Sequence, residues 1–374
     1  DMNVNNDNRQ QLLSRAECNI LRGLAILGIV LHNYCHWLGP IVKENEYTYD
    51  QHNVDVLHQV LSHPDGCLPI HLFSFFGHYG VPVFLFLSAY GLVCKYEHGG
   101  SATRAGHAPL PPAPRFIAYH YLKLFKMMIV GFVAFTVVDA MTPGSWHYTV
   151  TQILAQLCMV NNVLPDPDHQ IWPGPYWFFG FMLQLYIVYR LVLARRPWTY
   201  TVALMAVCVL LQMVMEPDSD AMNRYRYNFM GGMLPFGLGL LYARYGHRLH
   251  TGLHGGWAYA CMLLGACLLI YLCSLEFYLW ALVPAWVCAA AVCAVRWLAA
   301  WPTALHTPVT TVLVWMGQVS AALFVCHPIL RKVFIPISRG GDIYTGLLLY
   351  ILASICVAWL FREVMKKIPN PQLK

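Results

Sequence analysis

Charged side chains are what this sequence most lacks. Asp, Glu, Lys and Arg make up 11% of its 374 residues, against about 25% in soluble globular chains. So few charges cannot cover a water-facing surface, which excludes an ordinary soluble domain. Hydrophobic types at 58% and a mean hydropathy of +0.48 point to lipid as the solvent instead. There is no lysine- and arginine-rich stripe interleaved with aromatics, so nucleic acid is not an expected partner. The thirteen cysteines contain no CxxC pair and no regular spacing. They read as small apolar residues rather than as a disulfide framework or redox motif. No small-residue cleavage site flanks the first apolar run, which therefore reads as a retained transmembrane helix. No internal repeat and no soluble domain interrupts the chain.

What is present is a series of apolar segments. Crossing a bilayer takes about 20 such residues. Ten segments qualify: Asn19–Leu38, Leu68–Cys94, His120–Ala140, Pro175–Ala194, Thr199–Met215, Asn228–Tyr245, Trp257–Cys273, Phe277–Arg296, Val309–Lys332 and Thr345–Arg362. Thr149–Val160 is apolar but short and reads as an interfacial or re-entrant helix. The expectation is an all-α, polytopic membrane protein of about ten transmembrane helices, with both termini cytoplasmic. Lysine and arginine set that orientation. Fourteen of the 24 fall in segments that it places inside. Six fall outside (Lys43, Arg224, Arg226, Arg331, Lys332 and Arg339). The whole chain, 1–374, is expected to be one membrane domain. Its appendages are a polar N-terminal tail (1–17), a flexible cytoplasmic loop rich in Gly, Ala and Pro (95–119) and a cytoplasmic tail (363–374). The outside stretches Lys43–Cys67 and Glu216–Tyr227 are acidic, polar and long enough to shape an acceptor site.

Ionisable residues within apolar helices are costly, so each is a functional candidate. The first span carries Arg22 and His32. Ten residues separate them by roughly 15 Å along a helix axis, and by about 80° around it, so both can line one cavity. That distance suits an extended pantetheine arm, with arginine at the phosphates and histidine at the thioester. The alternative is that Arg22 snorkels to headgroups and His32 bonds a neighbouring helix. His327 is either an acceptor-side ligand or a helper to His32, or a structural histidine before Pro328. Glu276 either meets the acceptor or sits in a solvated turn. His32 and His36 share a helix face, a spacing that can ligate zinc. There is no HExxH and no Cys/His pairing, and no metal is expected.

Four stretches carry a family resemblance. NILRGLAILGIVLH (Asn19–His32) resembles the first-helix signature of the acyltransferase-3 family of membrane O-acyltransferases. GVPVFLFLSAYGL (Gly80–Leu92), PYWFF (Pro175–Phe179) and GQVSAALFVCHP (Gly317–Pro328) resemble three later motifs, in family order. The chain departs from the pattern at Asn19, Ala89, Ala321 and Val325, and a basic pair appears only loosely as Arg115, Lys123 and Lys126. The resemblance implies an enzyme moving an acetyl or other short acyl group from cytoplasmic acyl-CoA, acetyl-CoA foremost. The acceptor would be a hydroxyl of an extracytoplasmic glycan or lipid-linked molecule. Arg22, Arg115, Lys123 and Lys126 would bind the donor's phosphates. His32 would act as base or transient acyl carrier, and Ser88, Tyr90, Trp177 and Ser320 are potential oxyanion donors. The expected location is the inner cell membrane. A transporter or flippase of a small polar or lipid-linked molecule also fits ten helices with buried ionisable groups, although the internal repeats that often mark transporters are absent. A sensor or structural subunit would not need His32.

Overall fold

The computed structural model describes residues 12–98, 110–248 and 255–373. Most of the polar tail, the middle of the 95–119 loop and Lys374 lie outside the described residues, Arg9 and Arg104 among them. Among the described residues every regular element is helical. In chain order these are α1 (Arg15–Cys35), α2 (Gln51–Ser62), α3 (Leu68–Phe76), α4 (Gly80–Val93), α5 (Ala113–Met141), α6 (Val150–Leu157), α7 (Pro167–Gln170) and α8 (Trp177–Val188). There follow α9 (Trp198–Met213), α10 (Asp220–Arg226), α11 (Met233–Tyr245), α12 (Gly256–Ser274), α13 (Phe277–Trp280), α14 (Val283–Ala299), α15 (Thr303–Arg339) and α16 (Ile343–Lys367).

Seven stretches among the described residues are long and apolar enough to cross a membrane: α1, Leu68–Glu97, α5, Gly174–Leu193, α12, α15 and α16. α9 and α14 are shorter apolar helices. The expected span Asn228–Tyr245 is a 3-10 turn, Phe229–Gly232, leading into α11. The expected span Phe277–Arg296 is split. Pro284 lies in the first turn of α14, where its missing N–H costs nothing, and α13 ends just before it. The expected Val309–Lys332 is part of a single 37-residue helix. At about 1.5 Å per residue it is roughly 55 Å long. Pro308, Pro328 and Pro336 lie inside it without ending it, because α1, α5 and α16 pack along its length.

α1 begins on a capping box. Ser14 Oγ accepts from the Glu17 N–H at 3.2 Å, and Glu17 Oε2 accepts from the Ser14 N–H at 2.7 Å. The Glu17 carboxylate also takes Arg296 Nη1 at 2.9 Å, tying the last turn of α14 to the start of α1. α1 and α15 meet through glycines. A Cβ on Gly317 would stand 2.0 Å from the Asn19 carbonyl oxygen, and one on Gly23 would stand 2.3 Å from that of Leu313. On its other side α1 packs against α3, α4 and the one-turn 3-10 break Gly77–Tyr79 between them. Gly77 lets that break lie against His32, since a Cβ there would come 2.7 Å from the His32 Cβ. α4 packs on α11, and α12 on α14. At the Arg15 end, a buried pair clamps the π-turn after α4 to α11: Arg244 Nε and Nη2 donate to Glu97 Oε2 and Oε1 at 2.8 and 2.7 Å.

Candidate active site

α1 carries His32 into the last turn before its Cys35 end, where the following segment folds back over the bundle. Five contacts from four elements hold the backbone of residues 42–46. The Val42 N–H donates to His71 Nδ1 at 3.1 Å, and Ser74 Oγ donates to the Val42 carbonyl at 2.6 Å. Asn53 Nδ2 donates to the Glu44 carbonyl at 3.1 Å, Trp280 Nε1 to the Asn45 carbonyl at 2.9 Å, and Arg226 Nε to the Glu46 carbonyl at 3.0 Å. These bonds aim the Glu44 and Glu46 side chains back at His32.

His32 is 2% exposed. Its Nδ1 lies 2.8 Å from the Ser74 carbonyl oxygen, so Nδ1 carries the proton and donates it there. In the neutral ring Nε2 then carries the lone pair, 3.5 Å from Glu46 Oε2 and 4.0 Å from Glu44 Oε1. The His36 ring stacks on that of His32 at 4.6 Å, and His36 Nδ1 meets the His32 carbonyl at 2.9 Å. His78, on the 3-10 break, stands 5.3 Å from His32 ring to ring. His78 is buried, and neither of its ring nitrogens has a hydrogen-bond partner among the described residues.

These groups line a cavity of about 340 Å³ that also touches Trp172, Trp177, Asp168 and Arg331. Tyr47 and Tyr227 stack at 4.0 Å on its wall, the Tyr227 hydroxyl donates to Asp168 Oδ1 at 2.5 Å, and Trp177 meets both rings edge-on. The nearby cations are committed elsewhere. Lys43 Nζ is bonded to the carbonyls of His36 and Leu38. Arg331 donates to the Asn33 carbonyl at 3.3 Å and lies over the Trp37 ring. Among the described residues neither Glu44 nor Glu46 pairs with a lysine or arginine. Burial, with Glu46 beside it, pushes the Glu44 carboxyl above the ordinary carboxylate range, while His32 and Lys43 pull it the other way. An imidazole with a bare Nε2, beside two carboxylates and an aromatic-walled space, is equipped to take a proton from a hydroxyl held there.

The cavity reaches down α1 as far as Ile29, and Arg22 is not among its lining residues. Arg22 Nη1 donates to Asn19 Oδ1 at 3.0 Å. Arg22 lies within electrostatic reach of Lys123 on α5 and of Tyr186 on α8. Ser88 neighbours Tyr186 as well. Lys126 instead donates to Asn370 at 2.8 Å, and Arg115 is exposed at the start of α5.

The remaining sequence candidates separate in space. Trp177 lines the cavity. The Tyr90 hydroxyl both accepts from the N–H and donates to the carbonyl of Leu13, fastening the chain before α1. Ser320 Oγ donates to the Gly317 carbonyl in its own helix. His327 is fully buried, with Nδ1 at 3.1 Å from the Leu323 carbonyl and Nε2 without a partner among the described residues. Glu276 is exposed and caps α13 by accepting from the Leu279 N–H at 3.0 Å. The site residues that single-residue reading did not select are Glu44, Glu46, His78, Asp168 and Tyr227. Glu44 and Glu46 were signalled only as part of the acidic, aromatic stretch directly after the span that carries His32, and Tyr227 only as the end of the second acidic stretch.

A family model described as an acyltransferase domain, acyltransferase-3, matches residues 15–363. No curated protein and no solved structure matches the chain.

Proposed function

The chain belongs to the acyltransferase-3 family, and from that premise we propose that it moves a short acyl group, acetyl foremost, from acyl-CoA to an acceptor hydroxyl with His32 as the base. The single observation that carries this reading is the His32 tautomer. Nδ1–H is engaged by the Ser74 carbonyl, and in the neutral ring the Nε2 lone pair faces the aromatic-walled cavity that holds Glu44 and Glu46. In the step, the acceptor hydroxyl gives its proton to Nε2 while its oxygen attacks the thioester carbonyl carbon. The carbon–sulfur bond then breaks, and the imidazolium returns the proton to the departing thiolate. Glu44 and Glu46 stabilise the transient imidazolium through their charge.

Arg22 and Lys123 would grip the donor's phosphates at the opposite end of α1, with Ser88 and Tyr186 along the route of the pantetheine arm. The roughly 15 Å between Arg22 and His32 matches that arm. This reading requires a passage past Ile29 to open when the donor binds. Ten crossings, with both termini cytoplasmic, place the donor end in the cytosol and the Glu44–Glu46 cavity on the outer side, in a bacterial-type inner membrane. The lysine and arginine distribution supports that orientation. The stacked Tyr47 and Tyr227, with Trp172, Trp177 and Asp168, suit a glycan or a lipid-linked sugar as acceptor.

The test is release of free thiol from acetyl-CoA by the protein in lipid nanodiscs, with label transfer followed to added glycan acceptors. His32→Gln should lower turnover by about 10²–10⁴-fold while the protein stays monodisperse with an unchanged melting temperature. A His32→Gln protein that transfers at the parent rate removes His32 from the mechanism.

A further inference from the structure

Glu44 and Glu46 present two largely buried carboxylates to one space, and among the described residues neither forms a direct ion pair with a lysine or arginine. Glu44 Oε2 is also buried without a hydrogen-bond partner among the described residues. A carboxylate held out of water without a directly paired cation is costly, so the arrangement favours a bound cation. The neighbouring imidazoles say which kind. His32 and His36 lie at i and i+4, on one face of the helix end. Both spend Nδ1 on backbone carbonyls, those of Ser74 and His32. This fixes both rings in the tautomer that leaves Nε2 unprotonated, the support usually found behind histidines that bind metal. One ligand atom from each of His32, His36 and Glu44 lies within 4.8 Å of the others. Ligand atoms about 2 Å from a tetrahedral ion stand roughly 3.4 Å from one another. The His32–Glu44 separation of 4.0 Å therefore needs only a small inward shift. Glu46, at 3.5 Å from His32 Nε2, is already at that spacing. Two imidazoles with a carboxylate select zinc and its first-row neighbours over magnesium or calcium.

We propose that His32, His36 and Glu44 form a binding site for a zinc-class divalent ion, and that the bound ion inhibits acyl transfer by occupying the Nε2 lone pair that His32 uses as base. The inhibitory half rests on the reading of His32 given above; the binding half does not. The ion and the substrate proton compete for one electron pair, so the site works as a metal-operated brake on the chemistry.

Binding is read with cobalt(II) as probe, from its ligand-field absorption on the detergent-purified chain stripped with chelator. Zinc affinity follows from competition against a chromophoric chelator. Transfer from acetyl-CoA is titrated with zinc in parallel. The expected result is a tetrahedral cobalt spectrum displaced by zinc but not by magnesium, with transfer falling over the same zinc range. His36→Gln and Glu44→Gln should each weaken zinc binding by about 10–100-fold and move the inhibition curve with it, relative to each variant's own zinc-free rate. Unchanged melting temperatures of the metal-free variants exclude misfolding as the cause. Absence of binding, equal binding of magnesium, or full zinc affinity in both variants would overturn the site. Zinc binding with undiminished transfer would overturn the brake. If the purified chain transfers no acyl group at all, the spectra still decide the site, and only the functional reading falls.

Discussion

Glu46 holds a carboxylate oxygen 3.5 Å from Nε2 of His32, with its own backbone carbonyl clamped by Arg226. Two unit charges about 4 Å apart interact by ~4 kcal/mol at an effective dielectric near 20. Glu44 shares the task, so Glu46→Gln removes only part of that stabilisation. The expected outcome is a kcat lower by about 10–100-fold with KM for acetyl-CoA nearly unchanged. Steady-state kinetics in nanodiscs measure it, and a fall in affinity with kcat intact would assign Glu46 to substrate binding instead.

Arg22 belongs to the other end of the reaction. Among the described residues its guanidinium bonds one side chain, Asn19, with Lys123 nearby. A charge-assisted bond to phosphate contributes about 1.5–3 kcal/mol. Arg22→Ala should therefore raise KM for acetyl-CoA about 10–100-fold and leave hydrolysis of a truncated thioester lacking the nucleotide at the parent rate. Equal losses on both donors would show that Arg22 acts on the fold or the chemistry rather than on the phosphates.

The α1–α15 contact gives a prediction on stability. A methyl on Gly317 would meet the Asn19 carbonyl oxygen at 2.0 Å, whereas one on Gly265 in α12 meets nothing within 4 Å. Gly317→Ala must push the two helices apart, at a cost of about 1–3 kcal/mol. Gly265→Ala should be neutral or stabilising, since alanine is the better helix former. Melting temperatures in one detergent compare the two, and an equal response would refute the close packing.

Glu97 and Arg244 form a nearly buried bidentate pair, their side chains 10% and 7% exposed. Glu97→Ala leaves the guanidinium buried without its counter-charge and should cost about 3–5 kcal/mol. Combining it with Arg244→Met should recover much of that loss. A double variant no better than the single would mean that the π-turn, rather than the charge, sets the stability.

The apolar runs were legible because length and composition alone decide whether a helix can cross lipid; α1, α5, α12 and α16 follow the sequence segments closely. The split at Pro284 and the continuation of α15 past Pro308 and Pro336, beyond both ends of the expected span, were not legible. Whether a proline ends a helix depends on what packs against it. His32 could be read from its place in an apolar run. Glu44 and Glu46 stood out only as members of an acidic stretch, because their approach to His32 depends on Trp280 and Arg226, some 180 residues or more further along the chain. Tyr90, Ser320 and Glu276 carry suitable groups, but their oxygens are taken by Leu13, Gly317 and Leu279. Local side-chain-to-backbone bonds of that kind leave no trace in composition or period.

The anchoring of residues 42–46 has a kinetic corollary. Many enzymes wait for a lid to open before product leaves, but this short strap is stitched down by donors or acceptors on α2, α3, α10 and α13. Its carboxylates stand in place before any acceptor arrives. The ordering entropy has thus been met during folding rather than at each encounter, and gating, if any, falls to the donor's route along α1.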